Sequence, residues 1–336
     1  MKKLISLICV LAMVLALAAC GSSAPAATEA TAAAEASAED TAADKTYVIG
    51  ICQLVQHPAL DAATQGFKDA LTDALGDKVT FQEQNASGDS ATCSLICNQF
   101  VSDEVDLIMA NATASIQAAS SATNTIPILG TSITDYGVAL GIDDWTGVSG
   151  TNISGTSDLA PLDGQAAMIQ ELFPDAKTVG LLYCSGEPNS IFQADSMETL
   201  LTDMGYSVER YTFADSNDVS SVTANACSNV DVLYIPTDNT AASCTEAINN
   251  VALNAGVPIV AGEEGIAAGC GVATLSISYY DLGRTTGEMA AEILTEGADI
   301  STMEVRFAPT FTKEYNADIC EALNITVPED YVAIAE

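Results

Sequence analysis

Tyr47-Val48-Ile49-Gly50-Ile51-Cys52 (YVIGIC) is a short apolar run of the kind buried on both faces of a parallel sheet. Just after it, Ala59, Ala63, Phe67, Ala70, Leu71 and Leu75 recur every three to four residues, with Pro58 at the start and Gly76 at the end. That spacing predicts an amphipathic helix with Pro inside its first turn and Gly past its last. The alternation continues. Val79 to Gln82 reads as a strand, Ala91 to Val101 as a helix, and Asp106 to Ala110 (DLIMA) as a strand. A helix near Ser115 to Thr123 leads to a strand over Ile126 to Leu129.

The rhythm restarts after Asp158. Leu162 to Phe173, Ser190 to Met204 and Ala241 to Ala255 read as helices, the last two closed by Gly205 and Gly256. Thr178 to Cys184 (TVGLLYC), Ser207 to Phe213, Val230 to Ile235 and Val257 to Ala261 read as strands. Leu71-Thr72-Asp73-Ala74-Leu75-Gly76 and Leu201-Thr202-Asp203-Met204-Gly205 hold equivalent places in the two halves. Alternating strands and helices mean parallel sheets covered on both faces. The expected fold class is therefore α/β, two doubly wound Rossmann-like lobes with a ligand cleft between the carboxyl ends of their strands.

The ends of the chain read differently. Lys2 and Lys3 precede an apolar run, Leu4 to Ala19, shorter than the roughly 18 residues of a spanning helix. With Leu17-Ala18-Ala19-Cys20 after it, this predicts a secretory signal over 1–19. Cys20 is then lipidated, as in a bacterial lipobox; the alternative is an ordinary signal with a chance Cys. Residues 20–45 are Ala, Ser, Thr, Glu and Pro with no aromatic, a tether too poor in large apolar groups to pack. No other segment is apolar enough to span a bilayer.

Composition excludes several function classes. The 336 residues carry 45 acidic against 10 basic side chains, net charge −35, with one His and 49% apolar residues. Phosphate binding needs clustered Lys and Arg, so nucleic acid is excluded as a partner. One His rules out multi-His metal sites. No GxGxxG follows a strand, and neither a GxxxxGK[ST] loop nor a GxSxG elbow is present, so the chain calls for no cofactor, no metal and no catalytic residue. Cys52, Cys93, Cys97, Cys184, Cys227, Cys244, Cys270 and Cys320 sit mostly within apolar patterns. They read as buried small thiols, although pairing cannot be read from their positions.

The loops at strand ends carry the most specific signal. Gln56-His57-Pro58-Ala59-Leu60-Asp61, Asn111-Ala112-Thr113, Gly155-Thr156-Ser157-Asp158, Pro236-Thr237-Asp238-Asn239-Thr240 and Tyr279-Tyr280-Asp281-Leu282-Gly283-Arg284 follow one another in order. The set, spanning about Tyr47 to Tyr331, resembles the ABC-importer substrate-binding lipoproteins of the tryptophan/tyrosine type, within the type I periplasmic-binding-protein fold. Gly130 to Gly141 (GTSITDYGVALG) departs from the usual pattern of that family.

The resemblance implies a lipid-anchored monomer on the outer face of the cell membrane. It would capture a small solute, an aromatic amino acid such as tryptophan, tyrosine or phenylalanine, and hand it to an ABC permease and its ATPase. It implies a first lobe of 46–157 plus 278–304 and a second of 158–277 plus 305–336, joined by three crossings that act as hinges. A nucleoside or small-sugar receptor, or a surface adhesin or sensory lipoprotein, are the alternatives; an enzyme is the least favoured.

In such a fold the first lobe offers Gln56, His57, Asn111, Thr113, Ser115, Thr131 and Ser132 to the cleft. The last four sit where hydroxyls and free amides could hold a ligand carboxylate, or serve only as helix caps. The second lobe offers Asn189, Ser190, Asp238, Asn239 and Glu263, the two acids suiting an ammonium group. Asp158, at the first crossing, is a hinge residue, a ligand contact or both. Tyr279 is the first choice for an aromatic wall, ahead of Tyr136, Tyr183 and Phe192, while Trp145 reads as packing.

Overall fold

The computed structural model describes residues 45–308 and 310–335; Cys20, the signal and most of the tether lie outside them. In the first half, β1 (Tyr47–Gln53), α1 (Pro58–Leu75), β2 (Val79–Asn85), α2 (Ser90–Ser102), β3 (Leu107–Asn111) and α3 (Thr113–Ala122) alternate strictly. β4 (Ile128–Ile133), a short α4 (Tyr136–Leu140) and β5 (Ile153–Ser157) follow. The second half runs α5 (Leu162–Leu172), β6 (Thr178–Cys184), α6 (Pro188–Asp203), β7 (Ser207–Phe213), α7 (Val219–Cys227) and β8 (Val232–Ile235). It continues with α8 (Asn239–Ala242), α9 (Thr245–Ala255), β9 (Ile259–Ala261), α10 (Glu264–Cys270) and β10 (Ala273–Ser276). The chain then returns to the first lobe as α11 (Tyr279–Ala291) and β11 (Arg306–Phe307), and ends with β12 (Thr312–Tyr315), α12 (Ala317–Ala322) and β13 (Val332–Ala333) in the second.

Two sheets result. The first has strand order β11-β5-β4-β3-β1-β2 and is wholly parallel. The second has order β13-β12-β10-β9-β8-β6-β7, with β12 antiparallel to β10. Each sheet is buried on both faces, which is why β1 and β6 read as continuous apolar runs. Ile49, Leu107, Met109 and Leu129 pack on one face of the first sheet, and Cys52, Ile108, Phe100 and Ile128 on the other.

Two expectations are corrected. The helix expected over Ala241 to Ala255 is broken: Cys244 leaves helical backbone at φ −124 and ψ 18, giving α8 and α9. Arg306 and Phe307 still pair with Thr156 and Ser157 of β5, so the third crossing falls later than a boundary at 304/305.

The helices α1 and α11 meet at a close backbone approach in the first lobe. A Cβ on Gly66 would stand 2.1 Å from the Tyr280 carbonyl oxygen, and one on Gly283 2.0 Å from that of Ala63. Only glycine lets the two backbones come so near. Tyr280 Oη donates to Asp69 (2.9 Å) and Arg284 pairs with Asp73 (3.0 Å) on the same seam. The eight described cysteines are free thiols, six of them buried.

Candidate functional site

Eight of the expected residues meet in one place. His57, Ser132, Asp158, Asn189, Asp238, Asn239, Glu263 and Tyr279 line a single cavity, with Leu60, Thr134, Thr237 and Ala242. They follow the carboxyl ends of β1, β4 and β5 in one lobe and of β6, β8, β9 and β10 in the other, where open α/β sheets place ligands. The cavity is only about 10 Å³, roughly the space of one water, because the lobes touch around it. His57 Nε2 lies 3.3 Å from Asn239 Oδ1, and Thr134 Oγ1 lies 3.2 Å from Thr237 Oγ1. Anything larger enters by parting the lobes. Beyond Asn239 the cleft widens into a groove of about 440 Å³ between the lobes.

Three carboxylates stand in this space, and among the described residues no Lys or Arg lines it. Each is buried, and burial opposes ionisation. Asp158 is pushed up to about 6 and Glu263 to about 7. Asp238 is raised too, by burial first and then by the neighbouring charge of Glu187. Glu263 Oε1 and Oε2 accept the N–H groups of Ile266 and Gly265 (2.6 Å each), capping α10. Asp238 caps α8 through Ala241 N–H (2.8 Å) and also accepts from Cys184 N–H and Ser190 Oγ (2.7 Å each). Both acids are thus helix caps as well as cavity walls. Asp158 differs. Its Oδ2 accepts from Tyr279 Oη at 2.9 Å, while Oδ1 is buried without a partner.

Buried polar groups are normally paired, and each exception asks for a reason. Of the six unpartnered buried polar atoms among the described residues, three belong to cavity residues: His57 Nδ1, Ser132 Oγ and Asp158 Oδ1. Ser132 also holds φ +57, a left-handed conformation that L-residues adopt only when the surroundings impose it.

The other expected residues lie elsewhere. Gln56 is exposed and does not line the cavity. Asn111 points back into its lobe, donating to the Leu60 carbonyl (2.8 Å) and Thr64 Oγ1 (3.0 Å), which ties the start of α1 to β3. Thr113 is buried in the first turn of α3 and does not reach the cavity. Ser115 sits among thiols, 3.6 Å from Cys52 Sγ and from Cys93 Sγ. Thr131 accepts from Thr156 Oγ1 (3.3 Å) inside the lobe. Ser190 does not line the cavity but bonds two residues that do, donating to Asp238 Oδ2 (2.7 Å) and accepting from Asn189 Nδ2 (3.3 Å). Of the four hydroxyls expected to hold a carboxylate, Ser132 alone faces the cleft. Tyr136 is core, donating to the carbonyls of Gly130 and Thr156 (3.1 Å each) and stacking on Trp145 at 5.7 Å. Tyr183 and Phe192 do not line the cavity either.

Sequence reasoning missed Thr134, Thr237 and their brace Gln193, whose Nε2 donates to Thr237 Oγ1 at 2.5 Å. Thr237 belongs to the quoted PTDNT segment and Thr134 to the segment that departs from the family pattern, so strand-end position was the available signal.

Comparison with known proteins bears on the family and the fold. The sequence profile described as ABC transporter substrate binding protein matches residues 48–336. A tyrosine-binding protein of Clostridioides difficile (strain R20291) is 37% identical over 288 residues, 85% of this chain and 83% of its own. The crystal structure of an ABC domain in complex with L-Trp, from Streptococcus pneumonia, is 31% identical with a TM-score of 0.81, covering 85% of this chain and 97% of that one. The ligand-free, open structure of a substrate binding protein with adhesive properties from Clostridium difficile is 37% identical, yet its TM-score is 0.66 over 86% and 99% of the two chains. The more similar sequence gives the poorer superposition, and here the lobes touch across the cleft at His57–Asn239 and Thr134–Thr237.

Proposed function

Because the chain belongs to the ABC transporter substrate-binding protein family, we propose that it captures an aromatic α-amino acid in the cleft between its lobes for uptake. Two relatives whose names give tyrosine or L-Trp as ligand support that class. The observation that carries it is the cavity: three buried carboxylates with no cation among its lining residues, one of them with an unpartnered oxygen. A buried anion wants a paired cation, and a ligand ammonium is that cation. Asp158 is the foremost ammonium partner, with Asp238 and Glu263 as supporting charges. Ser132 Oγ is the donor suited to the ligand carboxylate. Nucleosides and sugars lack the cation and would leave all three acids without a counter-charge.

A thermal-shift screen of the compact unit from Lys45 to Glu336 against amino acids, nucleosides and sugars tests the reading. A ligand at 100 times its dissociation constant adds about 2.7 kcal/mol of stability, so an aromatic amino acid raises Tm. A rise with a nucleoside or sugar and none with any amino acid refutes it.

The leader supports export with a lipid anchor at Cys20, a short tether and docking to a permease and its ATPase; no helix among the described residues is long and apolar enough to cross a membrane. Cys20→Ser then moves the protein from the detergent phase to the aqueous phase in phase-partition assays. Detergent partitioning that survives the substitution contradicts the anchor.

A further inference from the structure

The only His of the chain carries an acceptor that the head-group reading leaves unused. The Glu187 carboxylate receives five hydrogen bonds: from Asn239 N–H (3.0 Å) and Nδ2 (2.7 Å), from Thr240 N–H (2.8 Å) and Oγ1 (2.7 Å), and from Asn189 Nδ2 (3.3 Å). A carboxylate in that position only accepts, so the amide nitrogen of Asn239 faces Glu187 and its Oδ1 faces His57. An amide oxygen also only accepts. His57 Nε2, 3.3 Å away, must therefore bear the ring proton. The neutral ring then presents a lone pair on Nδ1, which is buried and has no partner among the described residues.

The apolar lining residues come from the two helices that flank this relay. Leu60 lies in the first turn of α1, which His57 precedes, and Ala242 ends α8, which Asn239 begins. The acids serve the ammonium. The wall shared by His57, Leu60 and Ala242 is left to the ligand side chain.

We infer that His57, its tautomer set by the Glu187–Asn239 relay, selects aromatic amino acids whose ring carries a donor, a phenol O–H or an indole N–H, over phenylalanine. This rests on the amino-acid reading above and adds to it the basis of side-chain choice. A site built to bond a donor rejects the analogue that lacks it, because the buried acceptor is left unpaired.

Calorimetry on the Lys45–Glu336 unit with L-tyrosine, L-tryptophan and L-phenylalanine reads the effect. Tyrosine or tryptophan binds at least about tenfold tighter than phenylalanine, and His57→Leu narrows that ratio to within about threefold. Since the chain holds one His, ¹⁵N-histidine labelling of the unsubstituted protein gives one resonance pair. Nδ1 appears unprotonated and shifts when tyrosine or tryptophan binds, but not with phenylalanine. Equal affinity for tyrosine, tryptophan and phenylalanine, a ratio unmoved by His57→Leu, or a proton on Nδ1 overturns the assignment while the amino-acid reading stands. Failure of all three to bind overturns both.

Discussion

Asp158→Ala weakens amino-acid binding by at least about 30-fold in calorimetry. Removing one partner of a buried charge pair costs about 2 to 5 kcal/mol, and about 2 kcal/mol is already that factor. The position makes the effect specific. Asp158 follows β5 at the first crossing, and the Tyr279 that donates to it opens α11 just after the second. On the proposed reading, an ammonium on Oδ1 would bind at the first crossing, on the residue that Tyr279 ties to the second, and would couple binding to closure. Asp238→Ala and Glu263→Ala are blunter probes, since each strips the cap from a helix and strands buried N–H donors. Affinity within about threefold of wild type for Asp158→Ala would remove it from head-group recognition. The same pairing sets a pH profile. Below about 6 Asp158 keeps its proton and offers an ammonium no charge, so affinity rises with pH and binding releases a proton. For a group titrating there, the gain between pH 5 and pH 7 is about tenfold; a flat profile would contradict the pairing.

Gly283→Val lowers the Tm of the unliganded Lys45–Glu336 unit by at least about 6 °C. The atom its Cβ would meet at 2.0 Å is the main-chain oxygen of Ala63, which cannot rotate aside as a side chain can. Overpacking at such a place costs about 3 kcal/mol, at about 2 °C or more per kcal/mol for a domain this large. Binding suffers as well, because the seam sets the distance between His57, before α1, and Tyr279, the first residue of α11. A melting temperature within about 2 °C of wild type would mean that the helices part without penalty.

How much the sequence shows depends on what each segment buries. β1 and β6 are legible because both their faces are covered, leaving unbroken apolar runs. β5, Ile-Ser-Gly-Thr-Ser, has one large apolar residue and is held by its neighbours in the sheet. α7, Val-Ser-Ser-Val-Thr-Ala-Asn-Ala-Cys, has too thin a stripe to stand out before its packing is known. In the site, acids at strand ends could be named, but not the direction in which a strand-end side chain points. Thr131 and Ser132 are adjacent, and the chain alternates between them: one hydroxyl turns to Thr156 inside the lobe, the other lines the cavity. Asn111 and Ser115 fail for the same reason. Asn111 ends β3 and Ser115 lies in the first turn of α3, but their side chains fasten the lobe behind the cleft.

The seam between α1 and α11 also bears on how the chain is made. Asp69 and Tyr280, joined by a hydrogen bond, are 211 positions apart, and β11 at Arg306–Phe307 closes the edge of the same lobe. A nascent chain emerging amino end first therefore lacks the pieces that finish its first lobe until nearly all of it has been synthesised. Contacts so distant in sequence are slow to form, and until they do, α1 keeps an uncovered apolar face. On the export route proposed above, in which the chain would pass a translocation pore before folding, that delay would be useful: the topology would hold the leading half open while the trailing half is still on the ribosome.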